Sequence, residues 1–126
     1  MTNATALLSL GVSIALMSVA QLVLKARFLL LGHSGEAAPG LWETVQKALA
    51  DPLIWLAGGL IGVGACCWYL AMLRLPISLM LPLAGLIAPI VSLGAWLMLG
   101  ESLTPAKFAA ILVIAAGAAW LGWLNS

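Results

Sequence analysis

The chain has 126 residues, of which 64% are hydrophobic and only 7% are charged, and its formal net charge is +1 at pH 7. Soluble domains average about 45–50% apolar and about 25% charged residues, so this composition excludes a water-soluble globular protein. The five Lys and Arg residues against four Asp and Glu residues are too few to neutralise a nucleic-acid backbone, which excludes nucleic acid as a partner.

Apolar segments long enough to cross a membrane fill most of the chain. A helix needs roughly 20 apolar residues to cross the hydrocarbon core of a bilayer, so 126 residues accommodate four spans and their connections. We predict an all-α integral membrane protein with a single transmembrane domain over residues 1–126. Its four transmembrane helices are expected at about 4–31, 53–73, 77–99 and 105–124.

The first span carries two cations in its last third, Lys25 and Arg27. It starts without the positive region of a signal peptide and is too long for a signal-peptide core, so we expect it to be retained. A loop rich in Gly, Pro and Ser follows at 32–40. His33 in that loop has no second His or Cys at ligand spacing, so the sequence predicts no metal site.

The segment at about 41–50 has the pattern of a helix that lies in the membrane interface. Its apolar residues, including Trp42 and Val45, share one face, and Glu43 and Lys47 lie on the opposite face. This separation predicts a short interfacial helix, with the indole of Trp42 at the level of the lipid headgroups.

The second and fourth spans begin with the same signals. Asp51 before Pro52, and Thr104 before Pro105, are typical N-cap residues followed by a first-turn proline. Glycines in the second span, and alanines in the fourth, provide small surfaces on which another helix can pack closely. The glycines of the second span are Gly58, Gly59, Gly62 and Gly64.

The third span contains two prolines seven residues apart, Pro82 and Pro89. Each proline removes a backbone donor and tends to kink the helix. Kinked spans are tolerated where a neighbour or a cavity satisfies the freed carbonyl groups. The third span is therefore a candidate wall of a transport pathway, with Pro82 in the candidate site, and kinks that serve packing alone are the alternative.

Cations are distributed unequally between the two sides of the predicted bundle. Arg74 lies on the side of the termini, whereas Arg27, Lys47 and Lys107 lie on the other side. The positive-inside rule therefore favours termini outside the cell.

The candidate binding residues lie mainly on the first span. An ionisable residue within a span is costly and indicates a functional site, which makes Lys25 the most informative residue. Ser18 and Gln21 precede it by seven and four residues, on one helical stripe. An amide one turn from an ammonium suits a phosphate oxygen or a sugar hydroxyl. Alternatively, Lys25 and Arg27 extend to the interface, and Gln21 bonds a neighbouring helix.

Glu101 follows the third span directly, on the side where the first span ends. A salt bridge with Lys25 and contact with an amine of a substrate are both consistent with this position. A carboxylate in plain solvent is the third possibility. The sequence contains no nucleophile with a base, no Gly-rich phosphate loop and no carboxylate pair at catalytic spacing, so we predict neither an enzyme nor a cofactor.

The short four-helix pattern, with a late lysine and a Gly-Glu turn before the last helix, resembles the drug/metabolite transporter superfamily. Its small multidrug resistance branch has a glutamate in the first helix and a tryptophan in the third, and these positions here are Met17 and Leu83. The hallmarks of proton-coupled cation exchange are thus missing, although the resemblance implies a bundle of the same type.

The chain is more similar to the EamA-like branch of flippase subunits for 4-amino-4-deoxy-L-arabinose-phosphoundecaprenol. The Gln-Leu-x-x-Lys signature matches 21–25, the Arg-x-Pro turn matches 74–76, the glutamate before the last helix matches Glu101, and the Gly-x-x-x-x-Gly ending matches 117–122. Two positions depart from the branch, where a tyrosine and an asparagine are replaced by Leu81 and Ile87.

This resemblance implies translocation of a polyprenyl-phosphate-linked sugar across a bacterial inner membrane. Lys25 with Arg27 would bind the phosphate, Gln21 with Ser18 the headgroup, and the kinked third span would open to the lipid. One four-helix chain hardly encloses a sugar, so the resemblance also implies a homodimer or a heterodimer with a paralogous four-helix subunit. The alternatives are a small exporter of organic cations or metabolites, and a non-transporting accessory subunit.

Overall fold

The protein is helical throughout the described part of the chain. The computed structural model describes residues 2–32 and 40–125. Its helices, in chain order, are α1 (Asn3–Gly32), α2 (Leu41–Ala50), α3 (Pro52–Met72), α4 (Ile77–Ala84), α5 (Ile87–Leu99) and α6 (Pro105–Leu124). The loop predicted around His33 lies outside the described residues.

The described residues include four segments that are long and apolar enough to cross a membrane. These segments are Asn3–Leu30, Pro52–Met72, Ile77–Leu99 and Pro105–Leu124. The predicted all-α fold with four spans is confirmed, and the chain is a multi-pass membrane protein. The short amphipathic segment forms α2 and buries none of its residues against the rest of the described chain.

Side-chain caps start α3 and α6 as predicted. The Asp51 carboxylate accepts a hydrogen bond from the backbone N–H of Leu53 at 3.0 Å, and the Thr104 hydroxyl accepts one from the N–H of Lys107 at 3.3 Å. Each cap satisfies a backbone donor that has no partner inside its helix.

The third span is interrupted between its two prolines. Helix α4 ends at Ala84 and α5 begins at Ile87. Pro89 has no N–H to donate to the carbonyl of Gly85, and this carbonyl instead accepts from the N–H of Ala88 at 3.2 Å. The predicted kink is therefore a short break in the helix. At this break, backbone N–H groups donate to the carbonyl three residues earlier instead of the carbonyl four residues earlier.

Helices α1 and α3 pack closely through small and hydroxyl side chains. The Ser9 hydroxyl donates to the carbonyl of Cys67 at 2.7 Å, and the Ser13 hydroxyl donates to the carbonyl of Gly64 at 2.7 Å. A Cβ atom added to Gly64 would lie 3.2 Å from Cγ of Met17 on α1. Three of the four glycines predicted to form a packing face, Gly58, Gly59 and Gly62, have open space at that position.

Two further contacts place α5 beside α1 and α6. Gly94 of α5 faces the side chain of Leu22 on α1. Helix α5 also contacts α6, while residues of α1, α4 and α6 share the main buried cluster, which includes Leu10, Leu83 and Ala118. As a result, the last third of α1, the end of α5 and the start of α6 meet at one end of the bundle, where the candidate site lies.

Candidate functional site

An ion pair joins α1 to the turn between α5 and α6. The Lys25 ammonium contacts Oε1 of Glu101, so the structure contains the salt bridge that was one of three possibilities for Glu101. Gly100 positions this carboxylate because its left-handed backbone, with φ of 68°, ends α5 and lets the N–H of Glu101 donate back to the carbonyl of Ala95 at 3.3 Å. Glycine is favoured at such a helix end because it has no Cβ.

The ion pair is open to its surroundings. The side chains of Lys25 and Glu101 are 47% and 40% exposed, respectively. Ion pairs with this degree of exposure contribute roughly 0–1 kcal/mol to folding, so a competing anion can displace the carboxylate at little cost. Lys25 also has three donors, which allows its ammonium to hold Glu101 and a second acceptor at the same time.

The other two polar residues of the predicted stripe are in different environments. Gln21 lies one turn before Lys25 and is exposed, and no hydrogen bond of its side-chain amide is found within 2–32 and 40–125. Ser18 is buried, and its hydroxyl donates to the carbonyl of Ile14 at 2.7 Å. The structure thus places Gln21 near the ammonium with its amide open, and holds the Ser18 hydroxyl inside the packed helix.

Arg27 does not join Lys25, because residues two apart face different sides of a helix. Its Nε donates to Oδ2 of Asp51 at 2.6 Å, and the Asp51 side chain is only 5% exposed. The Arg27 guanidinium holds the pKa of Asp51 below its ordinary value of about 3.8, and this effect outweighs the opposing desolvation. This pair ties the end of α1 to the start of α3.

The Arg27–Asp51 pair gives a prediction about the pH dependence of stability. Asp51→Asn keeps an N-cap side chain but removes the negative charge, so the variant should unfold at a lower temperature than the wild type at pH 7. A carboxylate whose pKa is lower in the folded state than in the unfolded state stabilises the protein when the pH is above its unfolded-state pKa. This stabilisation is lost as the pH falls through its folded-state pKa. The difference in Tm, measured by thermal unfolding in detergent, should therefore shrink below about pH 4. A difference that stays constant down to pH 3 would contradict an ionic origin.

A cavity of about 400 Å³ lies between α5 and α6, next to the ion pair. At the end of the bundle its lining carries the charged and polar side chains of Glu101, Ser102 and Lys107, beside Leu103. Deeper along the two helices, the lining is mostly apolar and includes Ala88, Ala110, Ile111 and Ile114, with Ser92 on α5 as a polar residue among them. Glu101 belongs both to this cavity and to the pair with Lys25, so the two features form one continuous site.

Several residues of this site were missed by the sequence analysis. Lys107 was considered only for membrane orientation, and Ser92 and Trp96 were not singled out. Helical spacing could have indicated that Ser92 and Trp96 belong together, because they are four residues apart and share a face of α5. Pro82, which was predicted in the site, lies on α4 away from this lining, and its carbonyl accepts from the N–H of Gly85 at 3.0 Å.

Comparison with known proteins gives one informative similarity. The chain is 41% identical over 76 residues to the "probable 4-amino-4-deoxy-L-arabinose-phosphoundecaprenol flippase subunit ArnF" of Sodalis glossinidius (strain morsitans). The aligned region is 59% of this chain and 55% of that protein, so the match spans about half the length of the relative. No family model matches the chain, and no solved structure matches it. The chain is thus similar to a flippase subunit over more than half of its length.

Proposed function

We propose that the protein is a subunit of a membrane transporter that moves a polyprenyl-phosphate-linked sugar across a bacterial inner membrane. The similarity to a flippase subunit over 76 residues carries this proposal. That relative is named for 4-amino-4-deoxy-L-arabinose-phosphoundecaprenol, and a lipid of this class is the proposed substrate. Residues 1–126 would act as one transmembrane domain.

In the proposed mechanism, Lys25 binds the phosphate of the lipid. Its ammonium is half-exposed and is held at one end of the bundle by a carboxylate that a phosphate can displace or join. The open amide of Gln21, one turn away, would bind a hydroxyl of the sugar. Once released by Lys25, Glu101 could accept a hydrogen bond from an amine or hydroxyl of the headgroup. Arg27 would support the site by anchoring α1 to Asp51.

The transporter is proposed to contain two four-helix subunits, either identical or paralogous. The described helices leave many large apolar side chains exposed, among them Leu8 on α1 at 69%, Val63 on α3 at 56% and Val113 on α6 at 72%. Lipid and a second subunit are the two surroundings that such surfaces suit. A second subunit would also enclose the headgroup, because the cavity in one chain is open on one side.

Native mass spectrometry of the detergent-extracted protein tests this function, since one spectrum reports both subunit number and bound lipid. We expect a dimer that retains a polyprenyl phosphate lipid. A lipid-free oligomer that binds tetraphenylphosphonium would instead favour an exporter of organic cations, with Glu101 as the cation-binding carboxylate. A lipid-free protein that binds neither probe would favour an accessory subunit.

A further inference from the structure

We propose that the cavity between α5 and α6 binds the lipid substrate, with its phosphate at Lys107 and the start of its chain along the apolar lining. This inference rests on the proposed function and adds a second phosphate-binding cation and a lipid path. The change in polarity along the cavity, the charges around it and its location beside the Lys25–Glu101 pair support this inference.

The cavity changes from a charged end to a mostly apolar interior along its length. Lys107 lies in the first turn of α6, and Ile114 lies seven residues later, about 10 Å further along the helix. The intervening lining residue Ala110 is small and exposed, which leaves a groove between the helices. A ligand with a charged end and an apolar chain matches this gradient, whereas a fully polar metabolite would leave the deeper half of the cavity unmatched.

The charges around the cavity favour an anion. Lys107 and Glu101 both line it, and the carboxylate of Glu101 is already paired with Lys25. In the described part of the chain, Lys107 makes no ion pair, so two ammonium groups share one carboxylate. An anionic lipid phosphate would neutralise the excess positive charge. The N-terminus of α6 adds a favourable dipole at the same end of the cavity.

The neutral polar residues suit a hydroxylated headgroup. Ser92 and Ser102 supply hydroxyl groups that donate and accept hydrogen bonds. The indole of Trp96, which is 48% exposed, supplies an apolar ring face and an N–H donor to the same cavity.

A second groove near the ion pair lacks these features. It lies between α1 and α5, has a volume of about 230 Å³ and is lined by apolar residues only, including Leu22, Ala26 and Met98. Such a groove fits a lipid chain but offers nothing to a phosphate. The α5–α6 cavity is therefore the better match for the whole amphiphile.

The test is titration of the full-length protein in detergent with undecaprenyl phosphate, read by native mass spectrometry. We expect Lys107→Gln to weaken binding about tenfold, because a hydrogen bond to a charged group is lost. Ala110→Trp should weaken binding at least as much by filling the groove. The matched controls are Lys47→Gln on α2, and Ala109→Trp, an exposed position outside the cavity lining; neither should change affinity.

Additional probes separate the possible outcomes. Undecaprenol and inorganic phosphate should each bind far more weakly than undecaprenyl phosphate, since each matches only half of the cavity.

If the wild type binds the lipid and both cavity variants bind equally well, the cavity proposal is wrong and the flippase function stands. A wild type that does not bind the lipid overturns the proposed function itself. If Ala110→Trp dissociates the oligomer while Lys107→Gln leaves binding unchanged, the groove is a subunit contact, which also overturns the proposal. Should Ala110→Trp fail to fold, Lys107→Gln against Lys47→Gln decides.

Discussion

Replacing Lys25 with methionine should weaken the binding of undecaprenyl phosphate by about tenfold to a hundredfold, while membrane insertion and folding stay unchanged. Methionine retains an unbranched apolar side chain and removes only the ammonium, whose hydrogen bond to a charged phosphate contributes about 1.5–3 kcal/mol. The ion pair with Glu101 is also lost, but its two side chains are 47% and 40% exposed, so the loss of folding stability should be small. Titration by native mass spectrometry measures the affinity, and thermal unfolding in detergent measures the stability.

The matched variant Glu101→Gln separates a binding role from a structural one. It breaks the same ion pair but leaves the Lys25 ammonium in place and free of its competitor. We therefore expect Glu101→Gln to bind undecaprenyl phosphate as tightly as the wild type or more tightly. Equal losses of affinity in Lys25→Met and Glu101→Gln would mean that the pair acts only through structure. Unaltered binding of undecaprenyl phosphate in Lys25→Met would contradict the role assigned to the ammonium.

Gly64→Leu should destabilise the protein by about 1–3 kcal/mol, the usual cost of adding bulk to a packed interior. Gly64 is buried against α1, with the backbone carbonyl of Ser13 and the side chains of Leu16 and Met17 within 3.5 Å of an added Cβ. A leucine there would push α1 away from α3 and strain the 2.7 Å hydrogen bond from the Ser13 hydroxyl to the Gly64 carbonyl. The free energy of unfolding in mixed micelles measures the effect.

Gly62→Leu is the control, since a Cβ atom at Gly62 meets open space. It adds the same side chain two residues away on the same helix, and we expect the stability of the isolated chain to change little. Similar losses in Gly62→Leu and Gly64→Leu would show that helix propensity, rather than the α1–α3 contact, limits stability. Loss of a subunit contact in Gly62→Leu, with folding intact, would indicate that this open glycine surface meets a partner.

Local features of this protein were predictable from the sequence because they depend on residues close together in the chain. Composition and the length of apolar runs predicted four spans. The caps at Asp51 and Thr104 and the break near Pro89 follow from backbone donors that are either satisfied or missing within one or two turns. The Lys25–Glu101 pair was one of the possibilities that the sequence left open, because four antiparallel spans bring the end of the first helix and the end of the third to the same side.

Rotation of the helices about their axes was decided only by the tertiary structure. Apolar residues surround every span, so the sequence carries little signal for which face meets which neighbour. Packing brought Gly64, and not Gly62, against α1, held Ser18 in the interior and turned Arg27 toward Asp51. The cavity between α5 and α6 also depends on helix rotation. Glu101 and Lys107 line one site only because α5 and α6 pack with the cavity-lining faces together.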